Sequence, residues 1–171
     1  MKLNLITLLI SFIGLHGVQQ TNDVPREDGV ENSRIHIVDH ANNSFNMGSR
    51  LQLEKAFGKT KMVKEDAEIL EGGYVYTYNY KGLSVSYSKK HCESTEIKGP
   101  EYKITLNGIA YSVGEPITKL KTAFPVSYKN RHDNFLRLGI KYKGKWMDAY
   151  IAFSYNSKGI ITSIEVANDN S

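Results

Sequence analysis

Two short patterns in this chain have residue types that could pair a nucleophile with a base. Ser86 and Lys89 have the Ser-x-x-Lys spacing, in which an amine activates a hydroxyl group. That spacing works at the start of a helix, whereas the alternating residues here predict the end of a strand. His91 and Cys92 are adjacent, so on a strand they point to opposite faces and do not form a nucleophile–base pair. We therefore predict no catalytic residue and no enzymatic activity.

A metal site is the second kind of chemistry to consider. His36 and His40 are four residues apart with Asp39 between them, and this spacing brings two ligands together only on a helix. The pattern instead predicts His36 in a strand and His40 in the following loop, without a third ligand. Cys92 is the only cysteine, which excludes an intramolecular disulfide. We predict neither a metal nor a cofactor.

Four tyrosines occupy every second position between residues 74 and 80. On a strand this period places all four on one face: Tyr74, Tyr76, Tyr78 and Tyr80. One interpretation is a core face, because aromatic residues are favoured in half-buried strands. The other is a binding surface, because four hydroxyl groups are hard to satisfy in a small core and tyrosine is common at interfaces. The sequence leaves both interpretations open.

A second group of aromatic and charged residues alternates with apolar residues on two later strands. We predict that these residues form the partner-binding surface, together with the tyrosine stripe: Trp146, Tyr150, Asp148, Arg137 and Lys141. Aromatic and arginine side chains supply most interface hot spots, and lysines speed encounter with an acidic partner. The alternative is scattered surface charge, with Trp146 covering the edge of the core.

Strands and two short helices must position these residues. Alternating apolar residues separated by glycine-containing turns predict antiparallel strands in the second half of each repeat described below. Ser49 to Phe57 is predicted to be a helix with a capping box, closed by Gly58. A second helix is predicted to begin at Pro116 and to be stopped by Pro125. Residues 59–71 are predicted to be a loop or an irregular helix.

The chain also repeats itself. Residues 44–58 and 110–125 share a glycine, a leucine and an Ala-Phe pair at offsets of 66 and 67, and a slowly drifting offset indicates two copies with small insertions. We predict an α+β fold of two tandem units, residues 33–99 and 100–171. Each unit would be a short helix packed on an antiparallel sheet.

The two segments share a pattern of glycine, helix, aromatic residue and then glycine or proline: Val113-Gly114-Glu115-Pro116-Ile117 with Leu120 and Phe124-Pro125, and Met47-Gly48-Ser49 with Leu53 and Phe57-Gly58. In this pattern they resemble the beta-lactamase-inhibitory-protein-like superfamily, which includes the SmpA/OmlA outer-membrane lipoproteins. Units of that superfamily set a short helical segment against an antiparallel sheet, and some members carry two units in tandem. The resemblance implies a non-enzymatic binding or envelope role and transfers no functional residue.

The N-terminal residues have the outline of a secretory signal. Lys2 is followed by an apolar stretch to Leu15, and Gly17 offers a small residue at the cleavage point. We predict a signal peptide over residues 1–17, a disordered leader over residues 18–32, and a periplasmic or secreted location. The apolar stretch is too short for a membrane span, and a formal net charge of +4 is too small for a nucleic-acid-binding protein.

These observations together favour binding over catalysis. We predict a secreted or periplasmic protein-binding module of the inhibitor or immunity type, which acts by occupying the surface of a partner protein. An acidic-surfaced toxin or hydrolase is the partner class we expect, with no nucleic acid and no membrane span. The alternative is an envelope assembly or scaffold factor.

Export can be tested directly. If residues 1–17 are a signal, N-terminal sequencing of the protein from the cell envelope or medium will give a first residue close to Val18. Recovery of the exported protein with Met1 intact would contradict the prediction.

Overall fold

The computed structural model describes residues 26–67, 72–89 and 91–168. Within these residues the fold is mostly β, with two short α-helices, α1 Arg50–Phe57 and α2 Pro125–Lys129. The strands are β1 Gly29–Glu31, β2 Ile35–Asp39, β3 Ser44–Phe45, β4 Lys61–Asp66, β5 Tyr74–Tyr80, β6 Leu83–Tyr87, β7 Cys92–Ile97, β8 Tyr102–Leu106, β9 Ile109–Ser112, β10 Phe135–Tyr142, β11 Lys145–Tyr155 and β12 Ile161–Asn168.

The predicted α+β fold of two helix-on-sheet units is wrong. The strands form one eight-stranded mixed sheet in the order β1-β10-β11-β12-β7-β6-β5-β4, and one four-stranded sheet in the order β3-β2-β8-β9. Both halves of the chain contribute to both sheets, because β12 pairs with β7 and β2 pairs with β8. The order hairpin, helical segment, meander does occur twice along the chain. The two ranges proposed as repeats stay a prediction.

One face of the eight-stranded sheet is the core face. A register row runs across six strands without interruption, from β10 to β5, and most of its side chains are fully buried. Because successive residues of a strand point to opposite faces, this row fixes which residues point outward. The row consists of Leu136, Phe153, Ile164, Ile97, Leu83 and Tyr80.

The four-stranded sheet packs on this inner face. Tyr111 of β9 meets Phe153 of β11 edge-on, with ring centroids 5.9 Å apart. At the other side Phe57 of α1 lies between Tyr102 of β8 and Tyr80 of β5, at 5.1 and 6.0 Å. Edge-on aromatic pairs add to the stability that apolar burial provides. The core therefore joins both sheets and α1 in one apolar cluster.

The first helix follows the sequence prediction and the second does not. The capping box of α1 is confirmed, since the Ser49 amide donates to Gln52 Oε1 at 2.7 Å and the reciprocal bond is present. In the second half, residues 117–120 form a single 3-10 turn instead of a helix. Pro125 begins α2 rather than ending a helix, which agrees with the preference of proline for the first helical turn.

Two further segments differ from the predictions. Residues 61–66 were expected to be loop or irregular helix, but they form the edge strand β4, paired with β5. The predicted leader extends to residue 32, yet β1 pairs in parallel with β10 and Val30 is fully buried. The charged residues of both segments break the alternation of apolar and polar residues that predicts a strand. An edge strand can still form there, because it can be polar on both faces. The signal residues 1–17 and leader residues 18–25 lie outside the described residues.

Phe124 tests the packing of the second half. Its side chain is 2% exposed and its ring lies 6.2 Å from that of Tyr111. We expect Phe124→Ala to lower the free energy of unfolding by about 3–5 kcal/mol, because the change leaves a cavity in the core. Leu51→Ala, at a position that is 78% exposed, is the control and should change it by less than about 0.5 kcal/mol. Equal midpoints in chemical denaturation for the two variants would contradict this packing.

Candidate binding surface

The outer face of the eight-stranded sheet, turned away from the four-stranded sheet, carries the predicted aromatic and charged residues of β10 and β11. Lys141 lies opposite Trp146 in the register of the two strands. Arg137, Trp146 and Asp148 are exposed, and Tyr150 is half-buried. We call Arg137, Lys141, Trp146 and Tyr150 the outer-face patch.

The indole ring of Trp146 packs directly on the backbone of the sheet, because the two residues beneath it have no side chains. Its indole ring lies over Gly139 of β10 and Gly29 of β1. A Cβ atom at Gly29 would be 2.8 Å from Cη2 of the indole, and a Cβ at Gly139 would overlap the ring. The Lys141 ammonium group lies 4.4 Å from the ring centroid, a cation–π distance. Trp146 is nevertheless 50% exposed.

Arg137 connects the patch to the N-terminal segment, residues 26–31. Its guanidinium group lies 4.6 Å over the ring of Tyr150, and its Nε atom is 3.4 Å from Oε2 of Glu27. Cation–π contact and ion pairing both restrict an arginine that would otherwise sample many rotamers. Each of the two aromatic rings of the patch therefore has a cationic side chain packed on it.

Hydrogen bonds fix the N-terminal segment along β10. The Asp28 amide donates to Ser127 Oγ at 2.8 Å, and the Ser127 amide donates to Asp28 Oδ2 at 2.9 Å. The Gly139 amide donates to the Asp28 carbonyl at 2.9 Å. None of the sequence predictions places this segment at the site. Gly139 was the available signal, because a glycine inside a strand often marks a close approach by another part of the structure.

A shallow groove of about 420 Å³ continues the outer face beyond Tyr150. Tyr150 hydrogen-bonds to Glu165 of β12. Burial, together with the neighbouring carboxylate of Glu96, raises the pKa of Glu165 above its usual range. Small polar side chains such as Thr77 and Ser86 line the groove together with two further carboxylates, Glu65 and Glu93. Glu165 is absent from the sequence predictions, since its position beside Tyr150 depends on strand pairing.

The structure places the tyrosine stripe on the opposite face of the sheet from the outer-face patch. Tyr78 is 7% exposed and lies edge-on to Tyr87. The Tyr80 hydroxyl donates to the Gly58 carbonyl at 2.8 Å, and burial raises its pKa to about 12. Tyr76 packs against the core, and Tyr74, at the end of the stripe, is 39% exposed. The stripe is therefore a core face with one exposed end.

The residues considered for catalysis have other contacts. Ser86 Oγ is 3.0 Å from Thr77 Oγ1, and Ser88 is buried. Burial raises the pKa of the Cys92 thiol to about 11, which disfavours the reactive thiolate. Among residues 26–67, 72–89 and 91–168, no group of three or more His, Cys, Asp or Glu side chains is placed to hold a metal ion. In the same ranges no helix has the length and apolar character that a membrane span requires.

Comparisons with known proteins give no family. No family model and no curated protein matches the sequence. A solved structure of an extracellular protein containing an SCP domain, from Bacillus anthracis str. Ames, is similar with a TM-score of 0.39 and 11% identity. The match covers 72% of this chain and 45% of that one. This chain therefore spans less than half the length of that protein. A likeness at this level carries no inference about fold or function. The resemblance to inhibitory-protein-like repeats stays a prediction.

The position of Trp146 can be tested at Gly139. Gly139→Ala places a methyl group where the indole ring lies, so we expect the ring to move into solvent and the protein to lose about 1 kcal/mol of stability. Trp146 is the only tryptophan, and its fluorescence emission should shift to longer wavelength. Ser154→Ala, elsewhere on β11, is the control. An unchanged emission spectrum in the Gly139 variant would show that the ring rests elsewhere.

Proposed function

We propose that this chain is a secreted or periplasmic protein-binding module that covers the surface of a partner protein, as inhibitors and immunity proteins do. The observation that carries the proposal is the outer-face patch. It presents two aromatic rings, each with a cation stacked on it, on an ordered sheet. Such side chains supply most of the binding energy at protein interfaces.

The order of the patch supports binding with a small entropic cost. Trp146 is half exposed, yet two glycines and Lys141 restrict its ring. Arg137 is restricted by Tyr150 and Glu27. Immobilising a free side chain on binding costs roughly 0.5–1.5 kcal/mol, so a patch that is already ordered avoids most of this cost.

The charge of the patch supports an acidic partner. Lys141 and Arg137 lie on the same face of β10, and Arg137 forms an ion pair with Glu27. An acidic groove with room for an indole ring would complement this surface. Rim lysines act mainly on the rate of encounter, so we expect association to slow as salt concentration rises.

The experiment compares partner capture by three forms of the chain: the parent, Trp146→Ala and Leu51→Ala. The immobilised forms are exposed to the envelope and secreted fractions of the source cells, and captured proteins are quantified by mass spectrometry. The affinity for any protein captured is then measured by titration. We expect Trp146→Ala to weaken binding by about 2 kcal/mol or more, roughly 30-fold, while the unfolding midpoint stays close to that of the parent.

The control and the identity of the partner decide the outcome. Leu51→Ala removes an exposed apolar side chain far along the chain from the patch and should bind as the parent does. A captured toxin or hydrolase that loses activity when bound supports the inhibitor role, whereas an outer-membrane assembly component supports the scaffold role. Equal affinities of the parent and the Trp146 variant for every captured protein would contradict the proposal.

A further inference from the structure

A cleft of about 370 Å³ lies at the start of β10, where the N-terminal segment and the end of α2 meet this strand. Three arginines from these different parts of the fold line it: Arg26 of the N-terminal segment, Arg131 of the turn after α2, and Arg137 of β10. We call it the arginine cleft. It adjoins the outer-face patch, because Arg137 belongs to both.

Hydrogen bonds and ring stacking fix the walls of the arginine cleft. The Asn130 side-chain amide donates to the Arg26 carbonyl at 2.9 Å, which holds the N-terminal segment against the end of α2. The Arg131 guanidinium group lies 3.9 Å from the centroid of the Tyr128 ring and donates to the Tyr128 carbonyl. The paired hydrogen bonds between Asp28 and Ser127 join the same two elements and occupy the Asp28 carboxylate. The cleft is therefore built before any ligand enters it.

The charge of the arginine cleft favours an anion. Residues 117–147 contain eight lysines and arginines and one acidic residue, Asp133. The Asp133 carboxylate is outside the lining and lies 3.3 Å from Nδ1 of His132. Among the described residues that line the cleft, Glu27 is the one carboxylate, and it forms the ion pair with Arg137. Three guanidinium groups, which stay charged in proteins, thus face one carboxylate across the cleft.

We propose that the arginine cleft binds a carboxylate group from an acidic segment of the partner protein. This inference rests on the proposed function, because it names the chemistry that the partner brings to the edge of the outer-face patch. A guanidinium group presents its N–H donors in a planar fork that matches the two oxygens of a carboxylate, and such charge-assisted bonds are about twice as strong as neutral ones. The cleft already pairs one arginine, Arg137, with a carboxylate, that of Glu27.

The position of the cleft along β10 suits a chain segment better than a single ion. Lys141 lies on the same face of the strand four residues beyond Arg137, a distance of about 13 Å at the rise of a β-strand. An extended segment of four or five residues spans this distance. A segment with several acidic residues can therefore place one carboxylate in the cleft and another beside Lys141, with Trp146 next to it.

The test is a titration of the ¹⁵N-labelled chain, from residue 18 onward, with hexaglutamate peptide at low ionic strength. Binding is followed by the chemical shifts of backbone amides. We expect the largest shifts at residues 26–28, 130–132 and 137, and weaker binding as salt is raised. Arg26→Gln with Arg131→Gln should weaken binding at least tenfold, because two charge-assisted donors are lost. Arg131→Lys should weaken it less, because lysine keeps the charge and loses only the planar fork.

Matched controls separate the cleft from general surface charge. Lys61→Gln with Lys158→Gln removes two exposed lysines, and β4, which contains Lys61, lies at the opposite edge of the large sheet from β1. This variant should bind hexaglutamate as the parent does, and uncharged hexaglutamine should leave the parent spectrum unchanged. An equal loss of binding in the control variant, or largest shifts at Lys143 and Lys145, would overturn the inference. Shifts of the cleft amides with inorganic phosphate but not with hexaglutamate would overturn the assignment to a carboxylate.

Failure of this inference and failure of the proposed function give different results. Absence of hexaglutamate binding, with capture of a protein that still depends on Trp146, would overturn the cleft and leave the outer-face patch as the binding surface. Hexaglutamate binding at the cleft amides, with captured proteins indifferent to Trp146→Ala, would support the cleft and contradict the proposed function.

Discussion

The pairing of β12 with β7 is the constraint on which the rest of the structure depends. It joins the strands of both halves of the chain into one sheet, with Ile164 opposite Ile97 and Val166 opposite Thr95. A slip of one residue at this junction would turn the inner residues of one half toward solvent. The continuous core face, the position of the four-stranded sheet and the outer-face patch therefore all follow from one register.

The sequence predicts local structure where a local rule decides it, as at the first helix. The capping box at Ser49 and Gln52 and the glycine that closes the helix, Gly58, are where the sequence places them. The alternation of inward and outward side chains along β11 also separates Trp146 from the core residues of that strand. The overall architecture was predicted wrongly because strand alternation gives no information about which strands pair across the two halves. The predicted tandem units imply two separate sheets, whereas the strands of both halves of the chain add to shared ones.

The candidate site shows the same division between local and non-local information. That Arg137 and Lys141 point outward follows from alternation alone. The support of the patch comes from Glu27 and Gly29, which are more than one hundred residues away in the chain and lie in a segment whose composition predicts disorder. The tyrosine stripe was ambiguous for another reason. A stripe of tyrosines fits either face of a sheet, and the packing of Phe57 of α1 against Tyr80 decides that it is inner.

The edges of the two sheets have a consequence for behaviour at high concentration. A protein built of strands is at risk of joining edge to edge with its own copies. Among the described residues, the outermost strands of the larger sheet are β1, with three residues, and β4, with four charged residues in six. The smaller sheet ends in β3, with two residues, and β9, with four. Short or charged edges offer a poor template for a further strand, so the fold resists polymerisation and fibre growth even though most of its backbone is extended.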